Sequence, residues 1–279
     1  MAVIPCAVHA EHHDLHAEAD RPGFGTGTNV LPFGTIQWET GFECLHLWNM
    51  HAVTLPTSLF RFGLGPWAEL RLEYTGLLLA NDHPDDDPTF NDVLLYEPSP
   101  LNIGSKVRLW EGSEEPKLKW IPRTSLLLNI GLPITRTLAD YMPFSGGLDV
   151  LFENDLADWL MIGYDFGIYW VDWAPTPDLF ASLAFNFIPT DKLGVFVESY
   201  NSFDPDALDI QTGKTYTHCH IGLDFGLTYM VHPHVQLDTY AGFYIYNSDP
   251  TLATPRDYVY VGLGVTWLLY TGKKANKQL

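Results

Sequence analysis

Arg61, Glu69, Arg71, Glu73, Lys106 and Arg108 are charged residues set between apolar neighbours at every second position. Phe60 and Phe62 flank Arg61. Leu70, Leu72 and Tyr74 alternate with Glu69, Arg71 and Glu73, and Val107 and Leu109 with Lys106 and Arg108. Gln37 and Glu39 carry the same spacing upstream. In an extended chain this spacing puts acids and bases together on one face and the apolar residues on the other. Opposite charges gathered there pair and hydrogen-bond, because an isolated charge beside a low-dielectric wall is costly. Such a set has two uses. It is either an ion-pair lattice that stiffens and fills an interior, or a ring that selects the charge of what passes. Asp165, Glu198, Asp224 and Asp238 recur in the same phase on later segments and bias the facing side negative. An interior shared by both sets is expected to favour cations or neutral solutes.

Other constellations carry less. His9, His12, His13 and His16 sit in an N-terminal polar run, where spacings of three and four suit one helical face and a zinc or copper ion. A solvated tail with incidental metal affinity is the simpler reading. His218 and His220 share a strand face and His232 and His234 flank a proline, but no third ligand accompanies either pair. The acidic stretch His83 to Pro88 lacks the calcium-loop pattern and reads as a hydrated loop. No nucleophile elbow, phosphate loop or dinucleotide fingerprint appears. No metal, cofactor or catalytic residue is assigned, and no enzyme activity is expected. Cys6, Cys44 and Cys219 are odd in number and lack metal-ligand spacing, which excludes a complete internal disulfide framework.

The elements that position these charges are long strands. Even positions of 160–170 are Leu160, Ile162, Tyr164, Phe166, Ile168 and Trp170, against Gly163, Asp165 and Gly167. Across 218–231, Cys219 to Val231 form an apolar face opposite His218, His220, Gly222, Asp224, Gly226 and Thr228. The stretches 235–246 and 258–269 repeat the scheme. A soluble sandwich would turn the apolar face inward, and a membrane barrel would turn it outward. Three features favour the barrel. The alternation outlasts ordinary globular strands. The apolar faces reach Trp170 and Trp267, and aromatics make up 14% of the chain, as interfacial girdles require. The face opposite the apolar one mixes Gly with opposite charges, which suits a crowded polar lumen better than a free surface. The fold class expected is therefore all-β, a single closed antiparallel transmembrane barrel of about twelve strands.

Links add to the case. Tight ones at 65–67, 154–158, 189–192 and 232–234 alternate with long ones at 81–101, 111–122, 135–147 and 247–257. One short rim and one long rim is the outer-membrane arrangement. Residues 1–31 read as a signal remnant, with Val8 and Ala10 before a cleavage point, followed by an irregular periplasmic or lumenal segment. Residues 32–271 read as the barrel and 272–279 as a polar tail. Asp20 and Arg21, before the first strand, are expected to plug the lumen, with Arg21 pairing to acids on the wall. A net charge of −19 argues against a nucleic-acid partner. The partners expected are a lipid bilayer, the barrel-assembly machinery and a small solute.

Several blocks, in order, resemble a known bacterial family. They are ADRPGFGTGTNVLPFGTIQWETGFE (19–43), LFRFGLGPWAELRLEY (59–74), NIGSKVRLWE (102–111), FENDLADWLMIGYDFG (152–167), TDKLGVFVES (190–199) and GLTYMVHPHVQLDTYAGF (226–243). The family is the one labelled MetA-pathway of phenol degradation, also called simply "transporter". The resemblance implies a twelve-stranded barrel in the bacterial cell outer membrane. It implies a porin-like transporter for small solutes, aromatic or hydrophobic ones among them. A structural barrel with a plugged lumen and a hydrolase sited on the rim remain the alternatives.

Overall fold

The computed structural model describes residues 16–20, 23–47, 50–81, 95–112, 120–134, 144–172, 176–209, 214–248 and 258–270. His9, His12 and His13, the signal-like start, Arg21, the 83–88 loop and the 272–279 tail lie outside the described residues.

The strands are β1 (Ile36–Leu47), β2 (Met50–Gly63), β3 (Ala68–Asn81), β4 (Leu95–Pro98), β5 (Leu101–Trp110), β6 (Arg123–Leu132) and β7 (Ser145–Ala157). They continue as β8 (Leu160–Val171), β9 (Asp178–Thr190), β10 (Leu193–Asp209), β11 (Lys214–His232), β12 (Val235–Asn247) and β13 (Tyr258–Tyr270). Neighbours pair antiparallel around the sheet, and β13 pairs with β1 to close it. Closure leaves no unpaired edge, which a sheet in hydrocarbon cannot tolerate. The short β4 and β5 are two halves of one stave. Both lie on β3, β4 against Gly76–Leu79 and β5 against Ala68–Glu73. The interruption falls at Ser99-Pro100, where proline has no N–H for the ladder. The Ser99 side chain repairs it by accepting from the Thr75 N–H at 2.9 Å. The barrel thus has twelve staves.

Burial is inverted relative to a soluble protein, and this decides between sandwich and barrel. Arg61, Glu69, Lys106 and Asp224 have no exposed surface, while Phe166, Phe225, Val261 and Trp267 are about half exposed. Charged residues are almost never fully buried in soluble domains. Here they face a closed interior, and the apolar phase of each strand forms the outer, lipid-facing belt.

Counting directions from β1 places the links 64–67, 158–159, 191–192 and 233–234 on the rim that also holds residue 36. Trp110 and Arg123, the strand ends that the link 111–122 joins, lie on this same rim. That corrects the expectation that it belongs with the long loops. A single strand, 101–110, separates 81–101 from 111–122, so the two links must leave it at opposite ends. The opposite rim holds the strand ends Leu47 and Met50, Asn81 and Leu95, Leu132 and Ser145, Val171 and Asp178, Asp209 and Lys214, and Asn247 and Tyr258.

Inner-face glycines are explained by their cross-strand partners. Gly222 pairs with Tyr200, Gly242 with Tyr260, Gly262 with Tyr240 and Gly226 with Phe196. A Cβ at Gly222 would stand 2.0 Å from the Tyr200 ring. The missing side chain lets each ring lie flat across the neighbouring strand.

Candidate functional site

The residues before β1 lie inside the barrel. The Ala17 N–H donates to Pro233 O at 2.7 Å, in the β11–β12 turn. The chain comes back to the same rim where Gly34 N donates to Gly63 O at 3.0 Å and Gly63 N to Thr35 O at 2.9 Å. A Cβ on Gly63 would be 1.9 Å from Pro32 O, so only glycine lets the returning chain lie against β2. Between these anchors the segment rises into the lumen and buries Ala17, Thr28, Val30 and Leu31. Glycines at 23, 25 and 27 keep it thin, so the wall's polar groups reach its backbone.

One wall, built from β1, β2, β3 and β5, holds the cations. Arg61 is fully buried. Its Nε and Nη2 grip Glu69 at 2.9 Å each. Nη1 donates to Glu18 O at 2.7 Å and Glu39 Oε1 at 3.1 Å, and Nη2 also donates to Asn29 O at 3.0 Å. All five guanidinium N–H groups therefore have acceptors, the condition for burying this side chain without a large penalty. Lys106 Nζ donates to both Asp20 carboxylate oxygens at 2.8 Å, to Gly27 O at 2.8 Å and to Asn29 O at 3.1 Å. Arg71 bonds Asp20 as well, and Glu69 Oε1 at 3.1 Å. Asp20 is thus surrounded by three cations, with Arg61 Nη1 at 3.5 Å. Burial alone would raise its pKa. The charges of Arg61, Lys106 and Arg71 overcome burial and hold the carboxyl well below its ordinary value of 3.8. Gln37 and Glu39 complete this wall: Gln37 exchanges hydrogen bonds with the Glu18 backbone, and Glu39 accepts from Asp20 N at 3.1 Å.

The facing wall, β7 to β12, is acidic. Glu198 accepts from Phe24 N at 2.8 Å and Gly25 N at 2.6 Å. Asp165 accepts from Thr26 N at 3.3 Å and from its neighbour Ser182 N at 3.0 Å. Glu153 takes the Thr28 hydroxyl. Ser125, on β6, donates to Thr28 O at 2.6 Å. Above this level stand aromatic side chains. Phe24, at the tip of the segment, stacks on Tyr200 with centroids 3.8 Å apart and meets the edge of Tyr260 at 6.2 Å. Tyr244 stacks on Tyr258 at 3.8 Å and on His220 at 4.6 Å.

Two cavities flank the segment among the described residues. One of about 310 Å³, away from the short-turn rim, touches Thr57, Glu73, Asn129, Asp149 and Phe180. One of about 240 Å³, toward that rim, touches Asn186, Gly194, Thr228 and Gln236. Asp20, Thr26 and Asp165 line both, so the N-terminal segment is the partition.

The structure brings Arg61, Glu69, Arg71, Lys106 and Asp20 into one network, and Asp165 and Glu198 onto the segment's other side. Glu73 lines the larger cavity. Asp224 accepts from Tyr260 Oη at 3.3 Å, and Asp238 is buried on the β12 inner face. Arg108 stands apart near the short-turn rim, 3.1 Å from the exposed Glu111. Glu153, Asp149 and Phe24 were not singled out from sequence. Glu153 and Asp149 share the phase of Gly147 and Leu151 on β7, which would have found them. Phe24 carries no such periodic signal.

No family model matches the chain, and no curated protein matches it in sequence. Solved structures do match in shape. An outer membrane channel of Pseudomonas putida F1 superposes with a TM-score of 0.64 at 9% identity, over 87% of this chain and 98% of that one. The NanC porin gives 0.53 at 8% identity, over 83% of this chain and 100% of its own. The KdgM porin, solved with disordered oligogalacturonate, gives 0.51 at 7% identity, over 84% and 99%. The chain therefore has the fold of an outer-membrane β-barrel.

Proposed function

We propose that the protein is a porin-like channel of the bacterial outer membrane, closed by its own N-terminal segment. The observation that carries this reading is the partition itself. A barrel made only to be solid fills its interior with wall side chains. Here the filling between the two cavities is a separate length of chain, hung from both walls by hydrogen bonds. The apolar belt supports residence in a lipid bilayer, and insertion by the barrel-assembly machinery goes with that location. The wall charges Arg61, Glu69, Arg71, Glu73, Lys106, Asp165, Glu198, Asp224 and Asp238 line the path that opens when the segment leaves, and Arg108 lies at its mouth. Asp20 is the plug's charged anchor. The resemblance to the phenol-degradation transporters and the inward rings of Tyr200, Tyr244, Tyr258 and Tyr260 support small solutes, aromatic or hydrophobic ones among them. We read it as a conduit and not as an enzyme.

One observation favours a second reading, a structural barrel with a permanent plug: every N–H of Arg61 is satisfied with the segment in place. Single-channel conductance separates the two. Full-length protein, folded in a planar bilayer, is compared with the Asp20→Asn/Phe24→Ala variant, and heat-modifiable gel migration reports folding. The channel reading expects rare small steps from the wild type and larger or more frequent steps from the variant. Silence from both folded proteins selects the structural barrel.

A further inference from the structure

The plug is bound as a ligand would be bound, and its contacts define what could replace it. Three kinds of recognition meet on Asp20 to Thr26. The Asp20 carboxylate sits among Arg61, Arg71 and Lys106. The N–H groups of Phe24, Gly25 and Thr26 point at the carboxylates of Glu198 and Asp165. The Phe24 ring lies flat on Tyr200.

The anion-binding and donor-binding groups are also close together. A Cβ placed on Gly27 would be 3.2 Å from Glu153 Oε1 and 3.6 Å from Asp20 Oδ1. A Cβ on Gly25 would be 2.6 Å from Glu198 Oε1 and 3.3 Å from Asp165 Oδ2. Lys106 Nζ also donates to Gly27 O at 2.8 Å, so a fixed cation, Lys106, and a fixed anion, Glu153, flank the plug at the same residue. A field of this kind runs across the path rather than along it. It orients a molecule carrying both charges, whereas a lone anion meets the acidic wall and a lone cation meets the basic one.

We propose that the solute whose passage displaces the plug is a small ring-bearing zwitterion of the amino-acid kind. Its carboxylate takes the place of Asp20 on Arg71 and Lys106. Its ammonium group takes the place of the plug's N–H donors on Glu198 and Asp165. Its ring takes the place of Phe24 on Tyr200. The inference rests on the channel reading and narrows it to a substrate class. It also sharpens the expectation of a plain cation preference: the two walls together select for paired charge.

The test uses the full-length protein in planar bilayers, as wild type and as the Asp20→Asn/Phe24→Ala variant. Phenylalanine, 3-phenylpropionate, 2-phenylethylamine and benzyl alcohol serve as probes, and the concentration that halves the current is read for each. The expected result is block by phenylalanine at a concentration at least about tenfold lower than any of the other three. Arg71→Gln, introduced into the variant, is expected to weaken block by phenylalanine and 3-phenylpropionate and to spare 2-phenylethylamine. Equal block by all four probes in a conducting variant overturns the zwitterion assignment and leaves the channel reading standing. So does strongest block by a singly charged probe. A folded variant that passes no current overturns both.

Discussion

The two walls of the lumen hold the same segment by different means. On β2, β3 and β5 the charges pair with one another as well as with the plug: Glu69 bridges Arg61, Arg71 and Lys106. On β8 and β10 the acids Asp165 and Glu198 are held by N–H donors, and Glu198 takes two of them from the plug. The first wall directs most of its hydrogen bonds to the plug, and when the plug leaves it keeps those among Gln37, Glu39, Arg61, Glu69 and Arg71. The second exchanges plug bonds for water. A plug fixed more permanently on one side than on the other can swing, and the acidic side is where it is expected to release first.

The strongest way to break this comparison is to remove the lattice. Arg61→Ala leaves Glu69 and Glu39 buried without their guanidinium and frees Glu18 O and Asn29 O. Deleting one partner of a buried network costs roughly 3–5 kcal/mol. A lowered urea midpoint for loss of heat-modifiable migration, together with raised conductance, is expected. An unchanged midpoint would mean that the lattice does not hold the wall. Glu198→Gln acts on the other side. It weakens two charge-assisted bonds, worth about 1.5–3 kcal/mol each with a charged acceptor. Because the substitution leaves the bonds among Arg61, Glu69 and Arg71 intact, the urea midpoint should move little while open probability rises. If both variants shift the midpoint equally, the walls are not different in kind.

The barrel was legible in the sequence because alternation of period two is enforced by two solvents at once. Lipid selects one phase of β8, β11, β12 and β13, and the wet lumen selects the other. The charges of the lattice were legible for the same reason, since each stands alone between apolar neighbours. What was not legible lies where no periodic constraint acts. The described residues of the plug, 16–20 and 23–35, form no strand or helix, and most of their partners lie far away in sequence. Glu198 and Phe24 are 174 positions apart. The rim of the 111–122 link was misread because its length suggested a long loop, whereas its place follows only from counting strand directions.

Two smaller perturbations sharpen the comparison from the aromatic and titrating sides. Gly222→Ala puts a Cβ about 2.0 Å from the Tyr200 ring and forces it to tilt. Overpacking of this kind costs roughly 1–3 kcal/mol, and the ring that moves is the one under Phe24. Conductance should rise in steps that Phe24→Ala does not increase further. Additive steps would mean that Tyr200 does not act through Phe24. Acidification addresses Asp20. Its folded pKa is depressed, so its contribution is fully present above the ordinary value of 3.8 and is lost as pH falls through the folded value. Wild-type conductance attributable to Asp20 should therefore stay flat from neutral pH down to about 4 and rise only below it. Asp20→Asn should abolish that component, and a rise near neutral pH that survives Asp20→Asn would have to come from the acidic wall.

The smallest effect is expected at Arg108. It points to the mouth rather than to the lattice, and its partner Glu111 is 60% exposed. Such pairs contribute about 0–1 kcal/mol. Arg108→Ala should leave the urea midpoint and the open probability within error of wild type, although the substitution removes a positive charge from the same strand as Lys106. If it instead opened the channel as Arg61→Ala does, charge on β5 in general, and not the bonded geometry around Asp20 and Glu69, would be what keeps the plug in place.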